Sequence, residues 1–316
     1  MLLKEIKDIF HKELGEIYPK EEIDSFFYTC IEHYLKLQRF ILAIQPGITL
    51  TKEEEQPLFE AMSELKLEKP LQYILGTAHF MDLELQVDEN VLIPRPETEE
   101  LVQWILDDCQ KEEPFNSDAV RPPAARVGSQ MVIERSRNDH SLRILDIGTG
   151  SGCIAIALSK YLPDTNVFAL DVSEGALKVA QKNAASNGVD ITFLHQDILN
   201  PELEFASELV FDVIVSNPPY VRELEKNGIQ KNVKDFEPDT ALFVADEDPL
   251  IFYKAIINFS ERHLQENGSL YFEINQYLGE ETKALFNHRN FSEIELRKDM
   301  FGNNRMLKAN VPSRGL

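Results

Sequence analysis

Arg143-Ile144-Leu145-Asp146-Ile147-Gly148-Thr149-Gly150-Ser151-Gly152 is a short apolar run that breaks into alternating glycines and continues as a helical pattern to Leu162, before Pro163. An apolar run of this length, bounded by a turn signal, reads as a buried strand. Glycines at its end let the chain turn sharply and let a ligand approach the backbone closely. The spacing is GxGxG, not the GxGxxG of dinucleotide-binding loops. Alone it is a weak signal, and a tight turn without a ligand is the competing reading. Strand–helix alternation continues downstream. Asn166 to Leu170 reads as a strand; a helix follows, with Ser173 as N-cap, Glu174 in its first turn and Asn187-Gly188 at its end. Ile191 to His195 and Phe211 to Ser216 are the next strands, Pro249 to Asn267 contains a helix, and Ser269 to Ile274 is a fifth strand. Two terminal strands fall near Glu293–Arg297 and Arg305–Asn310. This order predicts an α/β fold with a mostly parallel, seven-stranded sheet and helices on both faces. Ligands then sit at the carboxyl ends of the strands.

Upstream the pattern is different. Ile23, Phe26, Phe27, Cys30, Ile31, Tyr34 and Leu35 recur at helical spacing, and Glu53 to Leu67 is a second amphipathic segment started by Thr51. Residues 1–75 read as a small helical domain. In 76–96, Phe80, Leu83, Leu85 and Val87 partly alternate, and Asp88-Glu89-Asn90 reads as a turn before Val91-Leu92-Ile93, which suggests a connecting β-hairpin. A helix over 97–110 buries Leu101, Trp104 and Ile105 on one face. Residues 111–140 hold Pro114, Pro122 and Pro123 among polar residues with no period, so a flexible linker or insertion is expected there. Residues 141–316 read as a second, α/β domain.

Composition narrows the function. The 316 residues are 43% hydrophobic and 27% charged, as in globular proteins. No apolar run approaches the roughly 18 residues that span a bilayer, and the N-terminus lacks a signal-peptide pattern, so a cytoplasmic location is expected. Three cysteines without a CxxC and seven scattered histidines argue against a disulfide framework or a metal site. The formal net charge of −22 disfavours nucleic acid and membrane surfaces as partners and fits a protein or small molecule better.

Carboxylates sharpen the glycine loop. Asp171 ends the second strand, where it can accept hydrogen bonds from both hydroxyls of a ribose. Asp146 stands at the mouth of the loop, where an acid repels a pyrophosphate but holds the cationic amino-acid end of S-adenosylmethionine. Asp197 follows the third strand and can accept from an adenine amino group, with Ile198 packing on the ring; a turn residue is the alternative. Cys153 reads as helix packing rather than a nucleophile.

Asn217-Pro218-Pro219-Tyr220, directly after the strand Asp212-Val213-Ile214-Val215-Ser216, is the most specific motif. The prolines fix φ and remove two N–H donors, so carbonyl oxygens face the pocket without donors beside them. Asn217 adds a side-chain acceptor, and Tyr220 can stack on a flat group. Two acceptors can hold both protons of a planar NH₂ and aim its nitrogen at a methyl donor, stabilising the positive charge that develops.

Asp146–Gly152 with Asn217–Tyr220 resembles the class I (Rossmann-like) methyltransferases that act on planar nitrogens. Leu92-Ile93-Pro94-Arg95-Pro96-Glu97-Thr98-Glu99, the upstream Pro70-Leu71-Gln72-Tyr73-Ile74-Leu75-Gly76 and Phe80, and Glu273-Ile274 with Asp299 to Arg305 are similar to the release factor glutamine N5-methyltransferases, the HemK/PrmC family. That resemblance implies methylation of the glutamine in the Gly-Gly-Gln motif of bacterial class-1 peptide-chain release factors, with S-adenosylmethionine as cofactor. It implies that Gly148, Thr149, Gly150, Ser151, Gly152 and Asp171 bind the cofactor, that Ile198 lines the adenine pocket, and that Asn217 to Tyr220 hold the glutamine. Arg95 and Glu97 lie in the family's proline motif, with roles left open. The helical N-terminal domain is expected to help bind the factor, and the chain is expected to be monomeric. Residues 111–140 are longer and more polar than the family's connection, and Val244 to Leu250 replaces a more glycine-containing stretch. Glutamine methylation of a ribosomal protein, or adenine-N6 methylation of nucleic acid, are the alternatives. Arg95-Pro96-Glu97-Thr98 favours the release-factor branch, and the net charge disfavours nucleic acid.

Overall fold

The computed structural model describes residues 1–111, 141–200 and 209–313. The expected linker at 111–140 thus lies, beyond its first residue, outside the described residues. The helices and strands begin with α1 (Leu3–Leu14), α2 (Lys20–Leu35), α3 (Ile41–Ile44), α4 (Lys52–Lys66), α5 (Leu71–Leu75), β1 (Thr77–Phe80) and β2 (Leu83–Gln86). Next come α6 (Pro96–Lys111), β3 (Arg143–Ile147), α7 (Cys153–Tyr161), β4 (Asn166–Asp171), α8 (Glu174–Asn187), β5 (Ile191–His195) and β6 (Phe211–Ser216). The remainder comprises β7 (Val221–Arg222), a 3₁₀ turn over Glu223–Gly228, α9 (Lys231–Phe236), α10 (Asp239–Leu242), β8 (Phe243–Val244), α11 (Ile251–His263), β9 (Leu264–Glu273), α12 (Gly279–Ala284), β10 (Ser292–Lys298) and β11 (Asn304–Asn310). The chain forms two compact units: Met1–Pro94 with Pro219–Pro249, and Arg95–Pro218 with Leu250–Leu316.

In the first unit, α1, α2 and α4 pack around Leu3, Ile6, Phe10, Ile23, Phe27, Cys30, Leu58 and Leu65, each 0–1% exposed. These positions follow the helical period, so the apolar stripes face one another. Phe26, Tyr34 and Leu35 flank the core. Thr51 caps α4: its Oγ1 accepts the Glu54 N–H at 3.3 Å and the Glu54 carboxylate accepts the Thr51 N–H at 2.8 Å. The expected hairpin is present, but its turn lies elsewhere. Phe80 pairs with Leu83 around Met81-Asp82, and Met81 takes a φ of 53°. The Asp88–Asn90 turn, where the Asp88 carboxylate accepts the Asn90 N–H, follows the hairpin, and Val91-Leu92-Ile93 is not a strand. The odd spacing from Phe80 to Leu83 marks the turn, because a two-residue period cannot cross it without flipping face. The segment Val221–Val244 carries β7 paired with β8 in parallel, with Lys226 Nζ 4.2 Å from the Phe243 ring centre.

In the second unit, the sheet order is β10-β11-β9-β6-β3-β4-β5. β9, β6, β3, β4 and β5 run parallel to one another, while β11 runs antiparallel to both β9 and β10. This is the expected seven-stranded, mostly parallel sheet. β3 is buried along its whole length, as a strand covered by helices on both faces must be. Ser173 Oγ accepts the Ala176 N–H at the start of α8, and Gly188 ends that helix with a φ of 68°. The chain winds outward from β3 through β4 to β5, then returns to β6 on the other side of β3. The carboxyl ends of β3 and β6 therefore form the switch point where the loops diverge.

Candidate active site

Both loops singled out by sequence begin at that switch point. Ile147 pairs with Ser216, so the glycine loop and the Asn217 motif leave adjacent strands at the same level. Ser216 Oγ donates to the Ile147 carbonyl at 2.7 Å, joining the two strand ends through a buried side chain.

The glycine loop is held by the ends of β4 and α8. The N–H groups of Gly148 and Thr149 donate to the Leu170 carbonyl at 2.8 and 3.0 Å. Asn183, fully buried on α8, donates to the Ser151 carbonyl at 2.9 Å. Gly148, Gly150 and Gly152 have φ of 73°, 55° and 83°, a region that L side chains rarely adopt. The three differ in surroundings. A Cβ on Gly148 or Gly150 would meet nothing within 4 Å, whereas one on Gly152 would lie 3.0 Å from Ile156 Cδ1 and 3.1 Å from Ala180 Cβ. The first two leave open room against the backbone; the third permits close packing between the loop and α8.

Asp171 spans the loop. One carboxylate oxygen accepts the Gly150 N–H and the other the Ser173 N–H, both at 2.8 Å. Burial raises its pKa, and these backbone donors oppose that shift. Each oxygen keeps a second lone pair. Asp146 is wholly buried; Oδ2 accepts from Thr149 Oγ1 at 2.6 Å, while Oδ1 has no partner in hydrogen-bond geometry among the described residues. Burial pushes its pKa up to about 7, the charge of Asp171 acts in the same direction, and the Thr149 hydroxyl and the Ala155 amide oppose it. An orphaned buried oxygen beside an open glycine cradle suits a cationic, hydrogen-bonding guest. Burial likewise pushes the Cys153 thiol up to about 12, so it is not a ready nucleophile.

Asp197 is exposed, and its Oδ1 accepts the Leu199 N–H at 2.9 Å in a turn; Ile198 beside it is half-buried. The turn geometry occupies one carboxylate oxygen. Arg95 and Glu97 flank Pro96 at the start of α6, both half-buried, and Pro96 takes the first helical position, where its missing N–H costs nothing.

Asn217 is half-buried and Pro218 buried; Pro219 and Tyr220, both half-buried, belong to the first unit. Sequence reading gave no role to the partners of Asn217. Its Nδ2 donates to Thr98 Oγ1 at 3.3 Å, and Thr98 Oγ1 donates to Glu273 Oε2 at 2.6 Å. Thr98 and Glu273 are 2% and 1% exposed. The signal available in sequence was a threonine in the first turn of a helix and an acid directly after the apolar run Leu270-Tyr271-Phe272.

Two family models match the chain: a methyltransferase small domain over residues 125–235 and a PrmC N-terminal domain over residues 10–76. A release factor glutamine methyltransferase of Flavobacterium psychrophilum is 47% identical over 98% of this chain and 99% of its own length. Relatives of the same name from Bacteroides thetaiotaomicron and Streptococcus pneumoniae are 37% and 36% identical, covering 98% and 97% of this chain and 100% and 98% of theirs. With fold, loops and full-length similarity agreeing, the chain belongs to the release factor glutamine methyltransferase family.

Proposed function

We propose that this chain methylates the side-chain amide nitrogen (N5) of the glutamine in the Gly-Gly-Gln motif of bacterial class-1 peptide-chain release factors, using S-adenosylmethionine. The observation that carries the reading is the orientation of Asn217: its NH₂ is committed to Thr98 at 3.3 Å, which turns Oδ1 the other way as an acceptor at the switch point. The names of the relatives supply the substrate class.

The residues present fit the cofactor. The open faces of Gly148 and Gly150 leave room against the backbone around Thr149 and Ser151, and the orphaned Asp146 Oδ1 offers an acceptor for a cationic amino group. In this reading the spare lone pairs of Asp171 take the ribose hydroxyls, the free oxygen of Asp197 takes the adenine amino group, and Ile198 lines the ring. When bound, S-adenosylmethionine supplies a methyl group on a sulfonium, a leaving group that departs as a neutral thioether. Asn217 Oδ1 and the backbone carbonyls of the Asn217-Pro218-Pro219 corner hold the two protons of the substrate amide, with no proline N–H to compete. Tyr220 stacks on the amide plane. As the nitrogen–carbon bond forms, these acceptors stabilise the positive charge on nitrogen, whose proton becomes acidic and leaves without a strong base. Residues 1–75 help bind the factor, the hairpin segment 76–96 connects, and 141–316 carry the chemistry. The chain acts as a monomer in the cytoplasm, on a protein rather than on nucleic acid or a membrane.

Incubation with labelled cofactor, a purified release factor and its Gly-Gly-Gln→Gly-Gly-Ala variant tests the reading. Label is expected on the first protein alone; equal labelling of both would overturn it.

A further inference from the structure

Asn217 serves a planar nitrogen only with its carbonyl oxygen turned to the substrate, yet a carboxamide has nearly the same shape in either orientation. The residues behind it break the tie. The Thr98 hydroxyl gives its single proton to Glu273 Oε2 at 2.6 Å. A hydroxyl has one proton, and with it directed to Glu273 the Thr98 oxygen can only accept from its other neighbour. Asn217 must then show Thr98 its NH₂, which is the contact seen at 3.3 Å, and must turn Oδ1 away. All three residues sit on well-anchored elements. Thr98 is in the first turn of α6, Glu273 ends β9 with its carbonyl accepting from the buried Tyr253 hydroxyl at 3.2 Å, and Phe272 beside it pairs with Ser216 beside Asn217.

We propose that Thr98 and Glu273 are positioning residues for methyl transfer: a buried relay that locks the Asn217 amide with its oxygen toward the substrate nitrogen. It rests on Asn217 being the acceptor for that nitrogen. Polarisation passed along the chain of hydrogen bonds strengthens each bond in it.

The test uses the full chain, a purified release factor and labelled S-adenosylmethionine. Thr98→Val keeps the shape and removes the hydroxyl. Its kcat is expected to fall roughly 10- to 100-fold with cofactor Kd near wild type, and its melting temperature falls because Glu273 Oε2 loses its donor. Thr98→Ser, which restores the hydroxyl, is expected within about threefold of wild type. In an Asn217→Ala background, Thr98→Val is expected to change the rate by less than about twofold, since both act through one amide. A purely structural role for Thr98 would instead add its full loss to that of Asn217→Ala. Should Thr98→Val not fold, Glu273→Gln replaces it in the same cycle, with an expected loss of about tenfold in kcat alone. Wild-type labelling with an unchanged Thr98→Val (or Glu273→Gln), or additive losses, would overturn the relay. Absence of label with the wild-type enzyme would remove the substrate reading, and the relay with it.

Discussion

At Asn217 one of the two Nδ2 protons goes to Thr98, and in the proposed reading deleting the side chain removes one substrate acceptor and leaves the glycine loop intact. Asn217→Ala should slow transfer by roughly 10²–10³ while cofactor affinity stays near wild type, because one positioned polar group is lost from the charge-developing centre. Single-turnover kinetics beside calorimetry would check this, and ordinary turnover would exclude the acceptor role. Burial holds the Asp146 carboxyl above the ordinary range. Its pKa of about 7 lies above the ~3.9 of a free Asp, so the folded state holds a proton that the unfolded chain releases. Its contribution to stability is full below about pH 4 and is lost as pH rises through about 7. Asp146→Asn stays neutral throughout, so its melting temperature relative to wild type should climb between about pH 4 and 7; a constant offset would show that Asp146 does not titrate there. The same ionisation favours a cationic guest, and S-adenosylmethionine should bind more tightly as pH rises toward about 7.

Between elements, the three loop glycines part company. A methyl on Gly152 would press on Ile156 and Ala180 at 3.0 and 3.1 Å, at a φ of 83°. Gly152→Ala should therefore cost about 1–3 kcal/mol from overpacking and backbone strain, seen as a lower urea midpoint with little change in m. At Gly150 the same change meets open space, so loss of cofactor affinity should exceed loss of stability. If Gly152→Ala unfolded at the wild-type midpoint, the loop–α8 contact would not be the reason for its glycine. The glycine loop itself and the caps of α8 were legible because each is a local signal: a hydroxyl at Ser173, a left-handed residue at Gly188. The hairpin turn at Met81-Asp82 was misread because Asp88-Glu89-Asn90 is richer in turn residues, while the change of face between Phe80 and Leu83 was the better guide. β7 and β8, two residues each, are too short for any hydrophobic period to register.

Over the whole molecule, the net charge of −22 sets a strong condition on partners. DNA and RNA oligonucleotides should accept no label even at about 50 mM salt, where phosphate contacts are worth most; labelled nucleic acid would sink the protein-substrate reading. Among the described residues no helix is long and apolar enough to cross a membrane. What the amino-acid sequence alone determined was the alternation of strands and helices, and hence a sheet whose carboxyl ends carry the Gly148–Gly152 loop and the Asn217–Tyr220 motif. Those signals repeat or terminate within a few residues, where backbone sterics and solvent act locally. Only the tertiary structure decided which way the Asn217 amide faces. That depends on Thr98, 119 residues away, and on Glu273, 175 residues beyond Thr98, and the direction of a buried hydrogen bond is set by strand register and helix docking that no local pattern encodes.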